Sequence, residues 1–215
     1  MEIKVIGTGS KGNCYILTSN GESIMLDCGL SFRKISNSTK VENIVAALIT
    51  HEHTDHIKGL SQLELKTNIQ IAGTLGTLKA ANVSGQPLDY YKTVQFGKHG
   101  NFEVTAIPTE HDAAQPAAYV IDFDDGGSQE RLLYVTDTAY FKTKVPNVTV
   151  FLFECNHSQK LLDEHYDAFL ANRVAKSHME ERTSIDYVKK AGTGSTRAII
   201  LIHLSGNNGE PERYQ

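Results

Sequence analysis

The sequence predicts an α/β protein in which two mixed sheets pack face to face with helices outside, an αββα sandwich. Three observations point there. Short β-rich runs recur through both halves of the chain, helical stretches interrupt them, and the polar clusters gather where strands stop. In the first half, residues 3–6, 14–18 and 23–27 read as strands, separated by Gly7, Gly9, Gly12 and an Asn20-Gly21 turn. The apolar run 45–50 ends at a group of histidines, a short helix is expected over 57–65, a strand over 69–72 and a helix over 75–81. The second half repeats the pattern. Strands are expected at 102–108, 118–123 and 131–136, the latter two joined through Asp125-Gly126-Gly127, and at 148–153. Helices over 161–176 and 180–191 precede a last buried strand at 198–202.

A length of 215 residues is expected to form one domain spanning 1–215, enough to bury a sizeable core. Hydrophobic residues make up 40% and charged residues 21%, which argues against disorder. The formal net charge of −4 rules out a global basic field, though not a local basic patch. No apolar run approaches the ~20 residues that span a bilayer, and the first residues, MEIKVIGTGS, lack a signal-peptide layout. The expected location is therefore cytoplasmic, with no membrane partner. Cys14, Cys28 and Cys155 are an odd number without finger-type spacing, and small apolar packing describes them better than a disulfide or a metal site.

The strongest chemical signal is Thr50-His51-Glu52-His53-Thr54-Asp55-His56, directly after a buried strand. Imidazoles and carboxylates at this density suit zinc, and also manganese or iron. His51 and His53, two apart on an extended turn, can address one ion. Asp55 and His56, entering a helix, can address a second. The plain alternative is a polar loop capping that helix.

This HxHxDH motif resembles that of the metallo-β-lactamase superfamily, and the resemblance extends over almost the whole chain. It implies the αββα fold and two metal ions, Zn²⁺ with Mn²⁺ or Fe²⁺ as alternatives. His51, His53 and His111 would hold the first ion and Asp55, His56 and His203 the second, with Asp137 bridging them. Asp27, in IMLDCG, resembles the aspartate that orients a ligating histidine. Two such ions ~3.5–4 Å apart can share a water and lower its pKa toward neutrality.

The same resemblance narrows the substrate. A bridging aspartate stands where a typical lactamase uses cysteine at its second site, and neither Cys28 nor Cys155 is placed to serve there. His178, in Lys176-Ser177-His178, resembles the histidine of the phosphodiesterase branch that aids the leaving group, with Glu154 as its carboxylate partner. Asp55, His178 and Glu154 are thus the expected catalytic residues. On the residues alone, His178 can equally sit in the first turn of a helix, with Glu154 solvated. The opening Gly7-Thr8-Gly9-Ser10-Lys11-Gly12-Asn13-Cys14 resembles that of the YycJ-like bacterial proteins, as do Glu154-Cys155-Asn156-His157 and His203-Leu204-Ser205.

Two related groups share these features: the YycJ-like proteins, taken as nucleases, and the phage anti-Pycsar enzymes, which cleave cyclic mononucleotides used as immune signals. Compactness, an acidic balance and no Lys/Arg stripe interleaved with aromatics lean toward 3′,5′-cyclic CMP, UMP, AMP or GMP as substrate, in a phage enzyme of the host cytoplasm. A nucleic-acid partner belongs to the nuclease alternative. A glyoxalase-type thioesterase is the more distant one, without the long C-terminal domain such enzymes carry. The resemblance also implies a homodimer, for which 85–100 is a candidate loop. Tyr90, Tyr91, Tyr119, Tyr140 and Phe141 can stack on a base or belong to the core, His157 has no evident partner, and His99 and His165 are expected at the surface. After His203 a polar tail is expected at 206–211.

Overall fold

The computed structural model describes residues 1–205, apart from the side chain of His165. The polar tail at 206–211 therefore lies outside the described residues, as does the expectation for the His165 side chain.

The first sheet takes β1 (Glu2–Gly7), β2 (Cys14–Ser19), β3 (Glu22–Leu26), β4 (Ile44–Ile49), β5 (Gln70–Gly73) and β6 (Gln86–Pro87), side by side in chain order. Strands β1 to β3 pair antiparallel, and β3 to β6 pair parallel. The second sheet orders β7 (Thr93–Phe96), β8 (Phe102–Pro108), β9 (Ala117–Asp125), β10 (Ser128–Val135), β11 (Val150–Glu154) and β12 (Ala198–Ile202) in the same way. Here β7 to β10 are antiparallel and β10 to β12 parallel. Both two-residue hairpin turns use paired positive φ, Asn20 and Gly21 in one and Gly126 and Gly127 in the other, the geometry whose twist matches its strands.

The apolar runs lack polar alternation because most strands are covered on both faces. Along β4, Ala46 and Leu48 face the opposite sheet while Ala47 and Ile49 face helices. Along β10, Leu132 and Tyr134 point inward while Leu133 and Val135 point outward. The outer face of the first sheet is covered by α1 (Phe32–Ser38), α3 (Leu60–Lys66) and α4 (Leu75–Ala80), the short α2 (Thr54–Ile57) preceding α3. The second is covered by α7 (Glu181–Ala191), reached through α5 (Gln159–His165) and α6 (Ala168–Ser177). The expected αββα sandwich of two mixed sheets is what the chain forms. All three cysteines are buried, and burial pushes the Cys28 thiol up to about 12.

Four local expectations need correction. The helix expected at 57–65 is two pieces, α2 and α3, with Gly59 between them. Its Cα is so close to the Leu30 carbonyl that an added Cβ would lie 2.2 Å away. The helix at 161–176 breaks before Asp167, whose side chain caps α6 by accepting the Leu170 amide. Residues 85–100 are not a free loop but carry β6 and β7, each completing one sheet. Finally, Lys176-Ser177-His178 closes a helix instead of opening one: the His178 amide donates to the Val174 carbonyl, and α7 is capped later by Glu180. No helix among the described residues is long and apolar enough to cross a membrane.

Candidate metal centre

Most of the chemistry-bearing residues converge because they lie at or just beyond the C-terminal end of a strand, while Asp55 and His56 sit in α2 and His178 closes α6. Asp27 follows β3, His51 and His53 follow β4, His111 follows β8, Asp137 follows β10 and His203 follows β12, while Glu154 ends β11. Asp27, Asp137 and His203 all have positive φ, at 57°, 50° and 55°. Left-handed backbone costs a non-glycine residue about 1–3 kcal/mol and persists only where surroundings enforce it. At these three positions it turns the chain off the strand at the cluster.

Three donor groups emerge, within each of which the candidate atoms lie no more than 4.8 Å apart: His51, His53 and His111; Asp55, His56, Asp137 and His203; and Asp137, Glu154, His178 and His203. All seven residues expected around two ions are therefore brought together, and so are the expected catalytic residues. Around Asp137, its Oδ2 stands 3.7 Å from His51 Nε2, 3.4 Å from His56 Nε2 and 3.8 Å from His111 Nε2, while Oδ1 is 3.5 Å from His203 Nε2. Asp55 Oδ2 is 3.5 Å from His56 Nε2 and 3.6 Å from His203 Nε2. Ligands about 2.0–2.1 Å from a tetrahedral ion would stand roughly 3.3 Å apart, so these gaps match a shared cation better than direct hydrogen bonds.

Two observations test whether the residues suit such a cation. The buried nitrogens His51 Nε2, His111 Nδ1 and His203 Nε2 have no hydrogen-bond partner, although buried polar atoms normally do. The charges ask for positive compensation as well. Burial disfavours a charged His203, yet Asp137, Asp55 and Glu154 outweigh it and raise its pKa to about 10. Burial likewise opposes the charge on His56, and Asp137 and Asp27 raise its pKa well above the usual value. Asp137 is held ionised against its own burial by His203, His56 and His51. His51 and His111 move the other way, lowered first by burial, which keeps them neutral. A nitrogen and oxygen donor set with surplus buried carboxylate fits divalent cations.

The supporting residues are equally specific. Asp27, fully buried, accepts from the Thr50 amide at 2.8 Å, Thr50 Oγ1 at 3.0 Å, Tyr134 Oη at 2.6 Å and His56 Nδ1 at 2.8 Å. This network assigns the His56 proton to Nδ1 and leaves the Nε2 lone pair facing the cluster. His51 Nδ1 is 3.0 Å from Thr50 Oγ1, which extends the same relay. The glycine-rich opening is no plain hairpin. Asn13 Oδ1 accepts the Gly9 amide, its Nδ2 is 3.1 Å from His56 Nε2, and Thr8 Oγ1 accepts the His203 amide. Gly29 lets this turn seat against α2, since an added Cβ would lie 1.7 Å from the Asp55 carbonyl.

Beside the cluster, His178 Nδ1 is 2.8 Å from Glu154 Oε1, and its ring stacks on His203 at 5.1 Å between centroids. Burial works against a charged His178, but the hydrogen bond and charge of Glu154 overcome it and raise the pKa. Glu154 is fully buried and also accepts the Thr138 amide at 2.8 Å. His178 and His203 line a cavity of about 270 Å³ whose walls include Ser10, Asp112, Leu170, Arg173 and Ser177.

Thr8, Asn13, Tyr134 and Asn156 were not singled out from sequence, although Thr8, Asn13 and Asn156 lay in motifs noticed there. Asn156 Nδ2 donates to the His203 carbonyl at 2.9 Å. Among the stacking candidates, Tyr119 and Phe141 are core residues, Tyr90 is half-buried and donates to the Pro116 carbonyl, and Tyr91 and Tyr140 are exposed. His99 is exposed as expected. His157 is buried with neither ring nitrogen hydrogen-bonded, and it stands in none of the donor groups.

The family model described as "Beta-lactamase superfamily domain" matches residues 22–204. The chain is 27% identical over 229 residues to the exodeoxyribonuclease YycJ of Bacillus anthracis, covering 99% of this chain and 85% of the relative. It is 25% identical over 179 residues to the anti-Pycsar protein Apyc1 of Bacillus phage BSP38, covering 65% of this chain and 69% of the relative. Its fold is similar to the crystal structure of the metallo-β-lactamase fold protein YhfI from Bacillus subtilis, with a TM-score of 0.75, 21% identity, and 98% and 88% of the two chains covered.

Proposed function

Because the chain belongs to the β-lactamase superfamily, we propose that it is a metal-dependent phosphodiesterase acting on nucleotide phosphodiesters. His51, His53 and His111 hold one cation, Asp55, His56 and His203 the other, and Asp137 serves both. Zinc suits these donors, as do manganese and iron. The observation that carries the reading is the pair of buried Glu154 and half-buried His178, 2.8 Å apart, standing beside that donor cluster.

When bound, two divalent cations supply Lewis acidity, lowering the pKa of water and neutralising charge on phosphoryl oxygens. The remaining work belongs to side chains. Asp27 fixes the orientation and tautomer of His56. Glu154 fixes His178 through Nδ1 and favours its protonated form, leaving Nε2 to give its proton to the departing oxygen. An alkoxide is a poor leaving group, so that proton matters most on unactivated substrates.

Among phosphodiesters, the DNA end has the broader support, since the similarity to an exodeoxyribonuclease runs through 99% of the chain and that to Apyc1 through 65%. The second reading is hydrolysis of 3′,5′-cyclic mononucleotides by a homodimeric phage enzyme, the anti-Pycsar function. It is favoured by the Apyc1 similarity and by a cavity of about 270 Å³, close to the small-molecule range.

One experiment separates them. Metal-loaded protein is incubated with a single-stranded oligodeoxynucleotide and with cyclic CMP, UMP, AMP and GMP, Asp55→Ala serving as control, and products are resolved by chromatography. Shortened DNA supports the nuclease reading, and linear mononucleotides from the cyclic panel support the second. Silence on both, with the protein metal-loaded, overturns phosphodiester hydrolysis of nucleotides.

A further inference from the structure

Helix α6 forms one wall of the cavity through Leu170, Arg173, Val174 and Ser177, a set at i, i+3, i+4 and i+7 that shares one helical face. The adjoining face carries Phe169, Arg173 and Lys176, spaced i, i+4 and i+7, so Arg173 stands on the boundary between cavity and exterior. Phe169 is 82% exposed among the described residues, a costly position for a benzyl side chain. Arg173 and Lys176 are exposed, and neither is ion-paired among the described residues. Lys176 also suits the last turn of a helix, but Arg173 and Phe169 have no such local explanation.

An aromatic face flanked by unpaired cations, continuous with a site for a scissile phosphate, has the composition of a single-strand platform. We infer that α6 binds single-stranded DNA next to the cleaved linkage, with Phe169 stacking on a base and Arg173 and Lys176 holding the neighbouring phosphates. A lone cyclic mononucleotide has no second phosphate for these cations. The inference rests on the reading of the site as a phosphodiesterase and adds the length of substrate it engages. It also answers the sequence expectation that no basic stripe interleaved with aromatics exists: the stripe is three residues on one helix, too short to register as composition.

The test measures binding and turnover separately in metal-loaded protein. Binding of a fluorescein-labelled oligothymidylate with phosphorothioate linkages is followed by anisotropy across a salt series. Turnover is followed on bis(p-nitrophenyl) phosphate, which has no flanking nucleotide. Phe169→Ala is expected to weaken DNA binding by about tenfold or more, the range of one stacked base. Arg173→Ala and Lys176→Ala are each expected to flatten the plot of log affinity against log salt by about 0.7, one single-strand phosphate contact. For all three variants the loss on DNA exceeds the loss on bis(p-nitrophenyl) phosphate. Equal losses on both probes, or wild-type affinity and salt slope, would overturn the inference while leaving the phosphodiesterase reading intact. A wild-type protein that binds DNA through α6 yet never cleaves bis(p-nitrophenyl) phosphate would overturn the phosphodiesterase reading instead.

Discussion

The two halves of the candidate centre are built differently. Asp55, His56 and His203 sit in a socket: His56 is held by Asp27, His203 by Thr8 and Asn156, and the Asp55 backbone by Asn13. His51, His53 and His111 form the other, entrance half, in which His53 and His111 line the cavity and His51 is buried behind them. His51 has Thr50 behind it, while His53 Nδ1 stands 3.2 Å from His111 Nε2, which is also 3.4 Å from the exposed Asp112 carboxylate and 3.8 Å from Asp137. Outer hydrogen bonds fix ring orientation and raise affinity, so the socket half is expected to retain its ion longer than the entrance half. Asp137 is the one side chain that belongs to both.

The largest effect therefore falls on Asp137. Asp137→Ala is expected to drop bound metal below one ion per chain and turnover by about a thousandfold, read by elemental analysis beside kinetics. A variant keeping two tight ions would remove the bridge from the account. His178→Ala comes next: a loss of roughly 10²–10⁴ in kcat on an unactivated diester, with metal content unchanged and a much smaller loss on a nitrophenyl ester. An equal loss on both esters would deny His178 its role as proton donor.

Asp27→Asn sharpens the comparison itself. It should weaken the socket ion by about 10–100-fold and the entrance ion much less, so that wild-type chelation in two steps merges toward one. Wild-type protein that releases both ions in a single step would break the contrast between the halves. The smallest effect concerns pH. Glu154 raises the pKa of His178, so the imidazolium persists above the usual histidine range and activity is lost as pH rises through that raised value. In Glu154→Gln this alkaline limb of kcat is expected to move to lower pH, which a pH–rate profile records.

Much of this was legible in the sequence for a physical reason. Strands buried on both faces read as uninterrupted apolar runs, and the residues at their ends stand out as polar. His51 to His56 declared themselves by density, while Asp27, His111, Asp137 and His203 needed the family resemblance to be singled out. The supports stayed hidden because each is a single ordinary residue acting over a long separation. Tyr134 reaches Asp27 across 107 positions, and Thr8 reaches His203 across 195. The edge strands β6 and β7 were missed because they are short and partly polar. His178 was given the right partner and the wrong element, since Glu180, three residues before Thr183, caps the next helix and leaves His178 in the connection.

The central claim is that seven side chains hold two cations that together make a phosphodiesterase. Its most direct test is to strip the protein with chelator, return zinc or manganese in measured equivalents, and follow hydrolysis of bis(p-nitrophenyl) phosphate. The account predicts turnover that is absent without metal and rises to a plateau at two equivalents per chain. Full activity after one equivalent, or activity that survives complete removal, would contradict it.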